Sequence, residues 1–258
     1  MEYNIDNNNL ANIFLKIKTE IQQSRKTLKE LLEIDYKYYK TIINLEEFEN
    51  ILDKFKNEES EKKIEQKVII EYNGNPYITL NLCILAILTN ITIILNYDDF
   101  MQGTNTFITK IVNNILNQFN INKLVYLKEN KENADKIICI DDINKYNEYL
   151  RQGSKNVKFY SLNYIDFYSD SDEFENITEL IYKYAENNQI YIESYSELDA
   201  IEAAKMIKSG FGKEVVLLTT NEDTKKIFEK EISNKKIHIN KNPFKQEIKL
   251  INKEILYI

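Results

Sequence analysis

The chain has 258 residues, 43% hydrophobic and 29% charged, with a formal net charge of −7. That length can bury the core of one large domain or two small ones, and the composition excludes a chain that is disordered throughout. Its five glycines, Gly74, Gly103, Gly153, Gly210 and Gly212, cannot be arranged into the dinucleotide glycine fingerprint or the P-loop, so phosphate cradles of those two kinds are excluded.

The positive charge is nearly all lysine; the only arginines are Arg25 and Arg151. A basic face with bidentate arginines is the usual footprint of a nucleic-acid reader, and the chain lacks it. One histidine and two separated cysteines, Cys83 and Cys139, cannot build a Cys/His zinc site. Both cysteines lie in apolar runs and read as small buried hydrophobes in a reducing compartment. The polar, acidic start is no signal peptide. The apolar stretch from Tyr77 to Leu95 is interrupted by Asn81, Thr89 and Asn90, so it reads as a buried helix, a turn and a buried strand rather than a membrane span. A cytoplasmic location is expected.

In chain order, residues 10–57 read as helices. Leu10, Ile13, Phe14, Ile17 and Ile21 recur at helical spacing, and Ile42 to Phe55 carry a second stripe. The charged run 57–67 reads as a solvated connector. Short apolar runs then alternate with amphipathic helices. Strands are expected at 68–71, 92–95, 123–127, 136–140 and 157–160. Helices are expected at 76–88, 104–119 and 143–151. Residues 164–168 either continue that sheet or form a hairpin. Helices at 177–185, 198–209 and 223–232 and strands at 190–193, 214–219 and 236–239 follow. The helix near 197–209 has Ser196 as its expected N-cap and Gly210 as its C-cap. Such alternation implies βαβ units and a mostly parallel, Rossmann-like sheet flanked by helices, an α/β fold. The expected divisions are a helical segment 1–66, a Rossmann-like domain 67–168, a shortened second lobe 169–245 and C-terminal strands 246–258. That C-terminal end is apolar and alternating, and is expected to pair with residues 160–168, within or between copies.

Two stretches together resemble the aldehyde dehydrogenase superfamily, most closely its γ-glutamyl phosphate reductase branch. The first runs Val68-Ile-Ile-Glu-Tyr-Asn-Gly-Asn-Pro-Tyr-Ile-Thr-Leu through Asn96, followed by Asp135-Lys-Ile-Ile-Cys-Ile-Asp-Asp-Ile. The second runs from Ile190-Tyr-Ile-Glu-Ser-Tyr-Ser-Glu-Leu-Asp-Ala through Val215 to Ile237-His-Ile-Asn-Lys-Asn-Pro-Phe. The resemblance implies NAD(P) chemistry through a cysteine thiolate that attacks a carbonyl. The family's segment bearing that cysteine is missing between Tyr168 and Ile190. At the family's ribose-facing position stands Asn96. At the turn where the family has a glycine pair stands Asp141-Asp142, whose carboxylates would repel a pyrophosphate; one of them is also the natural N-cap of the next helix.

Asn73 or Asn75 matches the family's oxyanion-stabilising position, although Asn-Gly-Asn-Pro is also turn chemistry. His238, on an alternating strand, is a structural residue or a general base without a nucleophile. Asp166, Asp170, Asp172, Glu173 and Glu175 form a solvated acidic loop or an oxygen-ligand cation site. The tyrosines after Asp35 pack on the sheet or stack on a partner.

Three functions are compatible. The first is a degenerate, non-catalytic relative that serves as a binding or assembly module, joining itself or a full-length relative through sheet-extending strands, with no cofactor expected. The second is a working NAD(P)-dependent reductase of an aldehyde, acyl-phosphate or acyl-CoA. The third is a small-ligand-binding α/β domain unrelated to that group.

Overall fold

The computed structural model describes residues 7–35, 45–55, 58–59, 66–97, 102–127, 134–170, 174–188, 190–241, 251 and 256. The chain divides into two compact units. One comprises Met1–Tyr160 with Leu250–Ile258, the other Ser161–Lys249.

In the first unit the N-terminal stretch forms three helices, α1 (Asn7–Gln23), α2 (Arg25–Asp35) and α3 (Leu45–Phe55). The stripe Leu10, Ile13, Phe14, Ile17 and Ile21 is buried, as are Phe48, Ile51 and Leu52 of α3. The sheet of this unit comprises β1 (Lys67–Tyr72), β2 (Thr92–Tyr97), β3 (Val125–Leu127), β4 (Lys136–Ile140) and β5 (Val157–Tyr160). The order is β3-β2-β1-β4-β5 and every pairing is parallel. The crossovers are α4 (Pro76–Thr89), α5 (Gln102–Gln118) and α6 (Ile143–Arg151). The apolar faces of the N-terminal helices hold them on these crossovers: α1 and α2 lie against α5, and α3 lies against α4. All residues of α4 are buried, which its uniformly apolar sequence requires. β3 is shorter at its start than periodicity implied. Ile42, Ile43 and the tyrosines after Asp35 lie outside the described residues.

Scarce glycine does not prevent the tight turns. Asn90, Asn120, Asp141 and Asn240 take positive φ of 54°, 57°, 56° and 50°. Asparagine and aspartate tolerate the left-handed region because their short side chains bond locally. Asn90 thus ends α4 as a left-handed C-cap.

The second unit has its own four-stranded parallel sheet. Its strands are β6 (Tyr164–Ser169), β7 (Tyr191–Ser194), β8 (Glu214–Leu218) and β9 (Lys236–Ile239), in the order β7-β6-β8-β9, with helices α7 (Glu175–Asn188), α8 (Ala200–Ser209) and α9 (Glu222–Glu231). Alternation along β8 serves both faces. Val216 and Leu218 pack with Ile165, Phe167 and Ile181 of α7, whereas Val215 and Leu217 pack with Ala203, Ala204 and Ile207 of α8 and Phe228 of α9.

Three expectations change here. The strand at 164–169 neither continues the first sheet nor forms a hairpin; it is an inner strand of the second, parallel to β7 and β8. With both of its edges taken, that strand cannot pair with the C-terminal segment. Of that segment only Ile251 and Leu256 are described, both fully buried, and the remainder of the expected C-terminal strands lies outside the described residues. Finally, the cap of α8 is Asp199, which accepts from the Ile201 and Glu202 amides at 2.9 Å each. The aspartate lies three residues beyond Ser196, so the helix begins later. Gly210 does follow the helix, but with φ −70°. Its small size matters for a different reason: an added Cβ would lie 3.2 Å from the Asp166 carboxylate.

Candidate functional site

In a parallel sheet of order 3-2-1-4-5 the strand order reverses between β1 and β4, and the crevice at their carboxyl ends is where ligands bind in such folds. Two of the turns singled out from sequence bound that crevice. Asn73-Gly74-Asn75 follows β1 and Asp141-Asp142 follows β4, while Asn96 lies one strand away in β2.

The first turn is internally wired. The Asn75 amide donates to Asn73 Oδ1 at 3.1 Å, and Asn75 Oδ1 accepts from the Tyr77 amide at 2.9 Å, capping α4. Gly74 has φ +79° and leaves room for the ring of Tyr97, which an added Cβ would meet at 3.2 Å. Its carbonyl accepts from Asn105 Nδ2 at 2.7 Å; Asn105 Oδ1 accepts from the Thr79 hydroxyl at 2.7 Å, which lies 2.6 Å from the Tyr72 hydroxyl. These bonds fix the loop as turn chemistry does, with the Asn75 acceptor turned into its own helix.

In the second turn Asp141 is buried and left-handed, so the backbone keeps a glycine-like conformation while presenting a carboxylate. Asp142 Oδ1 accepts from the Lys145 amide at 2.8 Å and caps α6. A carboxylate of the chain therefore occupies the positive end of that helix. The ammonium of Lys145 pairs with Glu148 at 2.9 Å and is held above the usual lysine range, first by that hydrogen bond and then by the charges of Glu148, Glu71 and Asp142. The N-terminus of α5 receives a carboxylate as well. Buried Asp35 accepts from the Thr104 amide at 2.8 Å and its hydroxyl at 2.7 Å, and an added Cβ on Gly103 would lie 3.2 Å from it.

Glu71 and Tyr149 are members of this site that sequence reasoning missed. Glu71 is a buried carboxylate one residue before the end of β1. Its Oε1 accepts from Asn96 Nδ2 at 2.9 Å and from the Tyr149 hydroxyl. The Asn96 amide is thus committed to a neighbouring strand. Burial first, then the bond and charge of Glu71, drive the Tyr149 hydroxyl far above the ordinary tyrosine range. The available signal was one charged residue inside the apolar run Val-Ile-Ile-Glu-Tyr, which a buried strand tolerates only when partnered.

Cys83 lies fully buried within α4, and burial pushes its thiol up. Cys139 is fully buried in β4, packed with Tyr149 and Val157. Thiolate chemistry needs an accessible thiol, and neither buried position provides one.

The described residues of the acidic patch do not converge into a metal-ligating group. Asp166 is not in a solvated loop: it is buried in β6, paired with Lys235 Nζ at 2.9 Å, and enclosed by Gly212, where a Cβ would stand 2.4 Å from its Oδ2. Burial raises its carboxyl above the usual range, opposed by Lys235. Asp170 accepts from the hydroxyls of Thr219 at 2.8 Å and Thr224 at 3.1 Å. Glu175 is exposed at the start of α7, and Asp172 and Glu173 lie outside the described residues. His238 is paired through Nε2 with Glu214 at 2.7 Å on the β8–β9 ladder. No group of three or more metal-ligating side chains occurs among the described residues. Among the same residues, no helix is long and apolar enough to cross a membrane.

Comparison with solved structures shows that this chain, with its five-stranded parallel sheet flanked by helices, has the aldehyde dehydrogenase fold. The γ-glutamyl phosphate reductase of Thermotoga maritima is similar at 15% identity over 91% of this chain and 83% of its own, with a TM-score of 0.58. A glyceraldehyde-3-phosphate dehydrogenase of Methanocaldococcus jannaschii, solved with NADP, is similar at 12% identity over 94% and 83%, also at 0.58. No protein-family model matches the sequence, and no curated protein does.

Proposed function

We propose that this chain is a non-catalytic assembly module built on the aldehyde dehydrogenase fold. The observation that carries the reading is the placement of its two cysteines: Cys83 and Cys139 are both fully buried, so a nucleophilic thiolate is not at hand for acyl transfer. The crevice supports it. Asp142 occupies the N-terminus of α6, where a pyrophosphate would otherwise find unpaired amides. Asp141 adds a second carboxylate, and a phosphate would meet like charge there.

The competing reading is an NAD(P)-dependent reductase, favoured by the similar dehydrogenase that was solved with NADP and by the Rossmann strand order. Thermal unfolding with and without NADPH or NADH separates the two. Saturation at one hundred times the dissociation constant stabilises a folded protein by about 2.7 kcal/mol. The expected result is no shift, together with no reaction of either cysteine with iodoacetamide in the folded state. Turnover of an acyl-phosphate or aldehyde that is lost on Cys83→Ala or Cys139→Ala would overturn the non-catalytic reading.

A further inference from the structure

The first sheet ends at β3, and no further strand pairs beyond it among the described residues. The register fixes which of its peptide groups face outward. The Ile93 amide of β2 donates to the Leu124 carbonyl at 2.8 Å, and Ile93 stands opposite Val125. In a parallel ladder the groups of alternate residues turn to opposite edges. The N–H and C=O of Val125 therefore both point away from β2.

A side chain meets both of them. Asn113, on α5 and twelve residues earlier, donates from Nδ2 to the Val125 carbonyl at 2.8 Å, and its Oδ1 accepts from the Val125 amide at 3.4 Å. The turn after α5 makes this reach possible. Asn120 is left-handed at φ 57°, and the Ile121 amide donates to the Leu116 carbonyl at 3.0 Å, which turns the chain back so that β3 lies against α5. A side-chain amide carries the same donor and acceptor as a peptide group. One residue bonded through both its N–H and its C=O to a single partner is the repeating unit of an antiparallel ladder. Asn113 thus stands where one residue of an added strand would stand. It is only partly buried and Asn114 beside it is exposed, so the contact lies at the surface rather than in the core.

An uncovered edge strand is a template for pairing with another chain, and Val-Tyr-Leu is a sequence that favours such pairing. We propose that Asn113 closes the β3 edge against strand addition by a second copy of this chain, filling the hydrogen-bonding place of the incoming strand at Val125. Removing the amide opens both groups of Val125 together, and two copies can then pair β3 with β3 about a two-fold axis. The closure does not rest on the assembly reading: it concerns the edge that is refused, not the surface that is used.

Hydrogen exchange and sedimentation of the full-length chain test this, with Asn113→Leu and Asn113→Ser as the variants. Leucine fills the same space without polar atoms, and serine is too short to span both groups. At low concentration the Val125 amide is expected to exchange about tenfold faster in each variant than in the wild type. As concentration rises, the variants are expected to gain mass beyond that of the wild type at the same concentration, while the Val125 amide regains protection. Asn114→Ala is the control and is expected to match the wild type in both readouts. Exchange of Val125 in the wild type as fast as in an unstructured peptide overturns the closure, and that measurement needs no variant to fold. A folded variant whose mass equals that of the wild type at every concentration overturns it too. A gain in mass without concentration-dependent protection of Val125 puts the new contact elsewhere and likewise overturns the assignment.

Discussion

Glu71 is a carboxylate inside a parallel strand, and its position is tolerable because two neighbours answer it. The Asn96 amide and the Tyr149 hydroxyl donate to the same oxygen. Removing one donor leaves a buried anion short of a partner, so Tyr149→Phe is expected to cost about 1–3 kcal/mol, read as a fall in the urea midpoint at neutral pH. The pH dependence has a definite sign. The Tyr149 hydroxyl titrates higher in the folded chain than in the unfolded one, so its contribution is whole below the unfolded value of about 10 and is lost as pH rises through the folded value. The stability difference between wild type and Tyr149→Phe should therefore be constant up to about pH 9 and shrink above about pH 10. A difference that grows with pH would exclude this assignment. Glu71 was legible only as an anomaly, because its partners come from β2 and α6, 25 and 78 residues away.

At the scale of elements, helix ends carry most of the information about the crevice. The N-terminus of α6 is held by Asp142, that of α5 by Asp35, and that of α4 by Asn75. Two of the three are charged side chains sitting where a scaffold of this kind receives anions. Asp142→Ala is expected to lower stability by about 1 kcal/mol, with an unchanged urea m-value because the same surface is exposed on unfolding. Capping was readable at α6 because an aspartate stands directly before an amphipathic run. At α8 the same signal pointed to Ser196, but the cap is Asp199, whose carboxylate reaches two free amides. The contact of Asp35 with Thr104 could not be read locally, since it joins residues 69 apart.

For the whole molecule, two open parallel sheets leave edges that the chain itself does not pair among its described residues. β7 bonds to β6 through the Tyr191 and Tyr195 amides, which donate to the Asn163 and Phe167 carbonyls at 3.0 and 2.9 Å. By alternation along a parallel ladder, the Ile192 and Ser194 amides face the other edge. The proposed assembly by strand addition would use that edge. Light scattering is then expected to give the full chain a mass of at least two copies. Ser194→Pro, which removes one outward donor and no bond to β6, should bring the mass toward the 30.7 kDa of one chain. A single-chain mass for the wild type at every concentration would remove the assembly reading.

By itself, the sequence determined the order and type of nearly every element, because apolar periodicity and turn residues are local properties of the chain. It also determined the burial of both cysteines and the turns that face the first crevice. Only the tertiary structure decided that residues 164–169 open a second sheet, since β6 has the same alternation whichever neighbours it takes. It likewise decided that Asn90 and Asp141 adopt the turns in place of glycine. The small number of glycines excluded two phosphate cradles. It did not exclude the left-handed backbone that glycine usually supplies, because a short polar side chain with the right neighbours can adopt it too.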